Sequence, residues 1–172
     1  ANLSLVVAIA QRLSVLVTDI LDFERIKNNN IKLSLTPIEL HSAIDSVINV
    51  FRHINKNSQV ILANSVPREL PSVIADENRL RQILYNLIGN ALKFTASGRV
   101  SISAEIHDDH LHVSVKDSGI GIPADKVESV FLSFEQVSAE RAEQYGGAGL
   151  GLAITRQLVE RMNGKIWIAW SE

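Results

Sequence analysis

The chain has 172 residues, 46% of them hydrophobic and 21% charged, with a formal net charge of −2. That length holds one full core and at most a small appendage, and that composition excludes a long disordered or collagen-like chain. The charge gives no basic footprint for nucleic acid or anionic lipid, the absence of cysteine removes disulfides and thiolate zinc sites and fits a reducing cytoplasm, and neither a signal peptide nor a membrane-length apolar run of about 20 residues is present.

From Ala1 to about Lys27, Val6, Leu13 and Ile20 recur seven apart, as do Ile9, Leu16 and Phe23, which is the a/d pattern of a bundle helix. Leu3, Val17 and Leu21 widen the stripe, so this helix needs partners from elsewhere. Asp19 and Asp22 read as its solvated face. Asn28-Asn29-Asn30 breaks the pattern and marks a linker, with a domain boundary near residue 30.

Beyond the linker, Ile31 to Leu35 alternates as a short strand. Thr36-Pro37-Ile38-Glu39 then carries helix-start chemistry: Thr36 as cap, Pro37 at the first helical position and Glu39 closing a capping box, with the helix running to about Ile54. Gln59 to Asn64 reads as a strand and Pro67 to Pro71 as a loop. Asp76 caps the next helix, which ends near Phe94, before Thr95-Ala96-Ser97-Gly98. Val100–Ile106 and Leu111–Val115 are strands around a turn at Asp108-Asp109. A glycine-rich loop, a short helix near Asp125, a variable segment, a second glycine loop, a helix to about Met162 and a strand from Lys165 complete the order. Such an order predicts an α/β sandwich, one mixed sheet with helices on one face. His107, His110 and His112 read as surface histidines rather than a metal site, and Trp167 and Trp170 as a cover for the sheet or its edge.

Three elements carry chemistry. On the Asp76 helix, Arg79, Gln82, Asn86, Asn90 and Lys93 fall 3, 4, 4 and 3 apart and so share a narrow sector, beside the apolar sector of Leu80, Ile83, Leu84, Leu87, Ile88 and Ala91. Amide oxygens from Asn86 and Asn90 suit magnesium brought by phosphates, and Lys93 can neutralise phosphate charge. A solvated helix face is the plain alternative. Second, Asp117-Ser118-Gly119-Ile120-Gly121-Ile122 follows a strand: a carboxylate there can accept from an exocyclic amine such as adenine's, with glycines allowing close backbone approach. A simple turn is the alternative for that motif alone. Third, Gly146-Gly147-Ala148-Gly149-Leu150-Gly151-Leu152 leads into a helix, whose amides and dipole can bind phosphate. It lacks the Lys-Ser/Thr of a Walker loop and the third-glycine interval of the dinucleotide fingerprint.

Taken in this order, the three elements resemble the nucleotide-binding motifs of sensor histidine kinases, members of the Bergerat-fold (GHKL) ATPase group. Asp76 through Asn86, Asn90, Lys93, Phe94 and Thr95 looks like the N box, and Asp117-x-Gly119-x-Gly121 is similar to the G1 box. Phe131-x-x-Phe134 is similar to the F box and Gly147-x-Gly149-Leu150-Gly151 to the G2 box. The resemblance implies a Bergerat-type two-layer α/β sandwich over 31–172, preceded over 1–30 by the second helix of a dimerisation and phosphotransfer hairpin. It implies ATP and magnesium as ligands, with Asn90 holding the metal, supported by Asn86. Lys93 would meet phosphate, Phe94 would lie near the nucleotide and Asp117 would read adenine. Gly119, Gly121, Ile122, Phe134, Gly147, Gly149, Leu150, Gly151 and Leu152 would complete the ATP site, and 136–145 would form a lid.

The implied activity is γ-phosphate transfer to a histidine in two-component signalling. The implied partners are a histidine-containing dimerisation domain, a response-regulator receiver domain and a second copy of the intact kinase. Three departures accompany the resemblance. The chain has no His-Glu-x-x-x-Pro or His-Asp-x-x-x-Pro acceptor box, since His41 and His53 stand in other contexts. Ala148 stands where the family often has Ser or Thr. The chain also stops at Glu172, before the Gly-x-Gly-Ser/Thr-x-Phe strand that usually closes the sheet. Two other functions stay open: a hydrolytic ATPase of the same group, or a non-catalytic nucleotide-sensing or dimerisation module. The hydrolytic families carry a glutamate where this chain has Asn86, and a neutral amide cannot act as the base that activates water.

Overall fold

The computed structural model describes Val17, Leu21, Glu24 and residues 32–54, 59–133 and 149–169. Val17, Leu21 and Glu24 are helical and exposed. The rest of the opening stripe and the asparagine linker lie outside the described residues. Most of the described chain falls into two compact units, one over 33–122 and one over 123–168.

The first unit begins with β1 (Leu35–Ile38), α1 (Leu40–Ile54), β2 (Val60–Asn64), β3 (Val73–Asp76) and α2 (Glu77–Phe94), followed by β4 (Gly98–His107) and β5 (His110–Asp117). β1 lies four residues later than the alternation of Ile31–Leu35 suggests. Thr36 is not a cap: it pairs with Ala75, because β1 and β3 form an antiparallel pair from Leu35 opposite Asp76 to Ile38 opposite Val73. Pro37 fits there because a two-stranded ribbon has only edges, where a missing N–H is tolerated. The helix cap is Glu39, whose carboxylate accepts the amides of His41 and Ser42, both at 3.0 Å. The Ser42 hydroxyl and these amides hold its carboxyl below the usual glutamate range.

The mixed sheet and the helices of an α/β fold are present, and among the described residues the strands fall into two hydrogen-bonded sets. Apart from the β1–β3 pair, β2 runs parallel to β4, and β4 runs antiparallel to β5, giving a mixed three-stranded sheet. Asp108 takes φ 51° in the two-residue hairpin turn, a left-handed conformation that aspartate tolerates. Alternation along β4 sends Val100, Ile102 and Ala104 into the core and leaves Arg99 and Glu105 exposed. Leu40, Ala43, Ile44, Val47 and Ile48 recur on α1 at the spacing of one helical face and are buried, as are Ile83, Leu84, Ile88 and Ala91 on α2. Side chains of both helices join Leu62, Val100 and Ile102 in one cluster. Full burial of each large aliphatic side chain there contributes about 1.5–3 kcal/mol.

His41 sits at the joint between α1 and the segment after β2. Its Nδ1 is 2.6 Å from the Val66 carbonyl and its Nε2 is 3.2 Å from Asp45 Oδ2. The Asn64 amide donates to Asp45 Oδ1 at 2.8 Å.

In the second unit, single 3-10 turns at Ala124–Lys126 and Ser129–Phe131 precede α3 (Gly151–Arg161). Val130 and Phe131 are buried. α3 ends in a Schellman turn: Asn163 takes φ 60°, and the Gly164 amide donates to the Val159 carbonyl at 2.9 Å. The strand expected from Lys165 is not formed among the described residues. Residues 164–169 alternate in exposure. Trp167, expected to cover the sheet or its edge, is 56% exposed.

Candidate nucleotide site

Asp76 starts the site by fixing where α2 begins. Its carboxylate accepts the Arg79 amide at 3.1 Å, one of the orphan donors of the first turn, and the Ser34 amide at 2.9 Å. Burial pushes its carboxyl up, but the amides of Ser34, Arg79 and Asn78 and the Arg79 charge outweigh this and hold it below the ordinary aspartate value. With that start, the polar stripe becomes a distinct strip of helix. Arg79, Gln82, Asn86, Asn90 and Lys93 are each half-buried, whereas Arg81 and Tyr85 on the neighbouring sector are exposed. A solvated face would show the exposure of Arg81 along its length, and this strip does not.

Within the strip, Arg79 Nη1 donates to Gln82 Oε1 at 2.9 Å, and Asn90 Nδ2 points to Asn86 Oδ1 at 3.5 Å. The nitrogen of the Asn90 amide is turned toward Asn86, which leaves its carbonyl oxygen on the other side of the amide. Hard divalent cations take oxygen ligands of this kind, so the donor set fits magnesium. Lys93 Nζ lies 4.9 Å from the centroid of the Phe94 ring.

The helix end meets the motif that follows β5. Ile120 donates its amide to the Phe94 carbonyl at 3.3 Å, and a Cβ at Gly119 would run into that carbonyl. The residue at 119 must therefore be glycine for the turn to approach so closely. Asp117 is half-buried at the end of β5 and accepts the Gly119 amide through Oδ1 at 2.8 Å. Gly121 takes φ 68°, and Ile122 is half-buried. The first unit thus brings together Asn86, Asn90, Lys93, Phe94, Asp117, Gly119, Gly121 and Ile122 on α2 and the turn that packs against its end. Sequence reasoning assigned no role to Thr95, which is 3% exposed with an Oγ1 that meets no hydrogen-bond partner. Its place directly after the last apolar position of the helix pattern was the available signal.

The second unit holds the start of the other glycine motif. Gly149 takes φ 69°, Leu150 is buried, and α3 starts at Gly151 with Leu152 half-buried. Among the described residues no side chain caps this helix, unlike Glu39 at α1 and Asp76 at α2. Phe134, Gly147, Ala148 and the expected lid over 136–145 lie outside the described residues. Of the three hairpin histidines, His107 bonds Glu105 at 3.0 Å, and its ring lies 4.9 Å from that of His112. Among the described residues no three histidine, aspartate or glutamate side chains are arranged to hold a metal ion.

Residues 75–172, more than half of the chain, match the family described as "Histidine kinase-, DNA gyrase B-, and HSP90-like ATPase", and the chain belongs to that family. Within it, the likeness is to histidine kinases. Histidine protein kinase 1 of Candida albicans is 40% identical over 158 residues, covering 88% of this chain and 6% of that protein. The chain spans under a fifth of the length of the curated relatives it matches. Among solved structures, full-length ShkA in complex with AMPPNP is 38% identical with a TM-score of 0.73, over 88% of this chain and 31% of that one. The catalytic domain of histidine kinase ThkA is 31% identical with a TM-score of 0.68, over 78% of this chain and 86% of that one. ThkA is also solved in complex with a response regulator protein, TrrA.

Proposed function

We propose that this chain is the ATP-binding kinase module of a sensor histidine kinase, which presents the γ-phosphate of ATP to a histidine carried on a dimerisation segment. In that step the unprotonated ring nitrogen of the acceptor imidazole forms a bond to the γ-phosphorus and the other ring nitrogen gives up its proton, while the bond to the bridging oxygen breaks and ADP leaves. The module's part is positioning and charge neutralisation, which dominate phosphoryl transfer. Asp117 accepts from the adenine amino group and Lys93 lies against the phosphates. Asn90, with Asn86 beside it, would hold magnesium, which neutralises phosphate charge when bound.

One observation carries this reading most directly. The Phe94–Ile120 hydrogen bond joins the helix bearing Asn86, Asn90 and Lys93 to the turn bearing Asp117, so a base reader and a phosphate reader share one rigid seam. The neutral Asn86 argues against the hydrolytic alternative, because an amide cannot deprotonate water. A receiver domain as the next phosphate acceptor and a dimeric parent protein belong to the same proposal, the first supported by the ThkA–TrrA complex.

The test is calorimetric titration with ATP, with magnesium and with a chelator, on the wild-type chain and Asn90→Ala. Magnesium is expected to strengthen ATP binding by the wild type and to have little effect on the variant. Equal affinities in all four titrations would refute the metal assignment.

A further inference from the structure

We propose that Phe94 is a positioning residue for Lys93: its ring face seats the ammonium before phosphate arrives. The inference rests on the reading of Lys93 as the phosphate-contacting lysine. Adjacent residues on a helix diverge by about 100° and do not normally face each other. Yet Lys93 Nζ lies 4.9 Å from the Phe94 ring centroid, so the lysine side chain has folded across to reach the ring. The negative face of an aromatic ring attracts an ammonium at this distance, and more strongly where water is partly excluded. Both residues are half-buried.

The backbone that carries the ring is held in place. The Phe94 backbone is fixed to the Asp117 turn through the Ile120 amide and the close approach of Gly119. A free lysine has four rotatable bonds to order on binding phosphate, and a seat that has already ordered them removes part of that penalty. The benefit falls only on ligands with phosphate. A direct contact of the ring with the base or ribose would instead serve ATP and adenosine alike.

The experiment is a double-mutant cycle on the full chain with Phe94→Leu, Lys93→Met and the pair, reading dissociation constants for ATP and for adenosine. Phe94→Leu should weaken ATP about 3- to 10-fold more than it weakens adenosine. In the Lys93→Met background that excess should vanish, and with Lys93 present Phe94→Tyr should bind ATP as the wild type does. Phe94→Met gives the same readout if Phe94→Leu melts within the assay range. Equal loss for both ligands, or an excess that persists without the lysine, would overturn the proposal and leave the ring as a simple wall. If Lys93→Met binds ATP like the wild type, the phosphate reading of Lys93 fails and takes this inference with it, a result distinct from the other two.

Discussion

The carbonyl of Phe94, the last residue of α2, accepts a hydrogen bond from the Ile120 amide at 3.3 Å, across a contact so close that residue 119 has no room for a side chain. An α-helix leaves its last four carbonyls without intrahelical donors. Here one of those carbonyls is satisfied by the motif whose carboxylate is proposed to read the base. The stability of the helix end and the geometry of the base pocket are therefore coupled.

Gly119→Ala should break that coupling. The new methyl group must displace the Phe94 carbonyl or the turn, and the loss of stability is expected to be about 1–3 kcal/mol, typical of overpacking at a site that cannot give. Thermal melting gives the first readout, and ATP affinity should fall along with it. An alanine variant that melts and binds like the wild type would mean that the seam is soft.

Asp117→Asn bears on base choice. A carboxylate facing guanine's 6-carbonyl opposes two acceptors, whereas adenine's 6-amino group donates to it. Loss of a hydrogen bond to a charged group costs about 1.5–3 kcal/mol, or roughly ten- to a hundredfold in affinity. The variant should lose that much ATP affinity and discriminate less against GTP, as measured by competition between the two nucleotides. Unchanged affinity and unchanged discrimination would remove the adenine pocket from Asp117.

Asp76 makes stability depend on acid. Its carboxyl is held below the ordinary aspartate value in the folded chain, so the folded state binds that proton less readily than the unfolded state does. The resulting stabilisation is complete above the unfolded value of about 3.9 and is lost as pH falls through the folded value. Asp76→Ala should cost about 0.5–2 kcal/mol at neutral pH, the usual range for a lost helix cap. The gap between the two proteins should narrow as denaturant melts are taken to lower pH. A gap that stayed constant down to pH 2 would place the effect elsewhere.

Much of this was legible in local pattern. Asp76 as cap, the extent of α2, its two sectors and the β4–β5 hairpin depend on neighbours within a few residues, and the apolar spacing states them directly. The start of α1 was not legible, because Thr36-Pro37-Ile38-Glu39 satisfies a capping box and a strand equally well. The choice was made by Ala75 and Ile74, nearly forty residues on, which pair with Thr36 and Pro37. In the site, the glycines announced that backbone would approach something closely, but only the fold says that it is the Phe94 carbonyl. Lys93 and Phe94 were each read as facing the nucleotide, and their contact with each other could not be seen, since helical spacing predicts that adjacent side chains diverge.

The central claim, that this chain is a kinase module lacking its own acceptor, is tested most directly by phosphotransfer from radiolabelled ATP. The measurement compares the chain alone with the chain plus a folded dimerisation hairpin that carries the family's histidine box. None of the five histidines, His41, His53, His107, His110 and His112, stands in a His-Glu-x-x-x-Pro or His-Asp-x-x-x-Pro box. Acid-labile label is expected on the added hairpin and none on the isolated chain. No label on a folded hairpin, under conditions where calorimetry shows ATP bound, would contradict the claim.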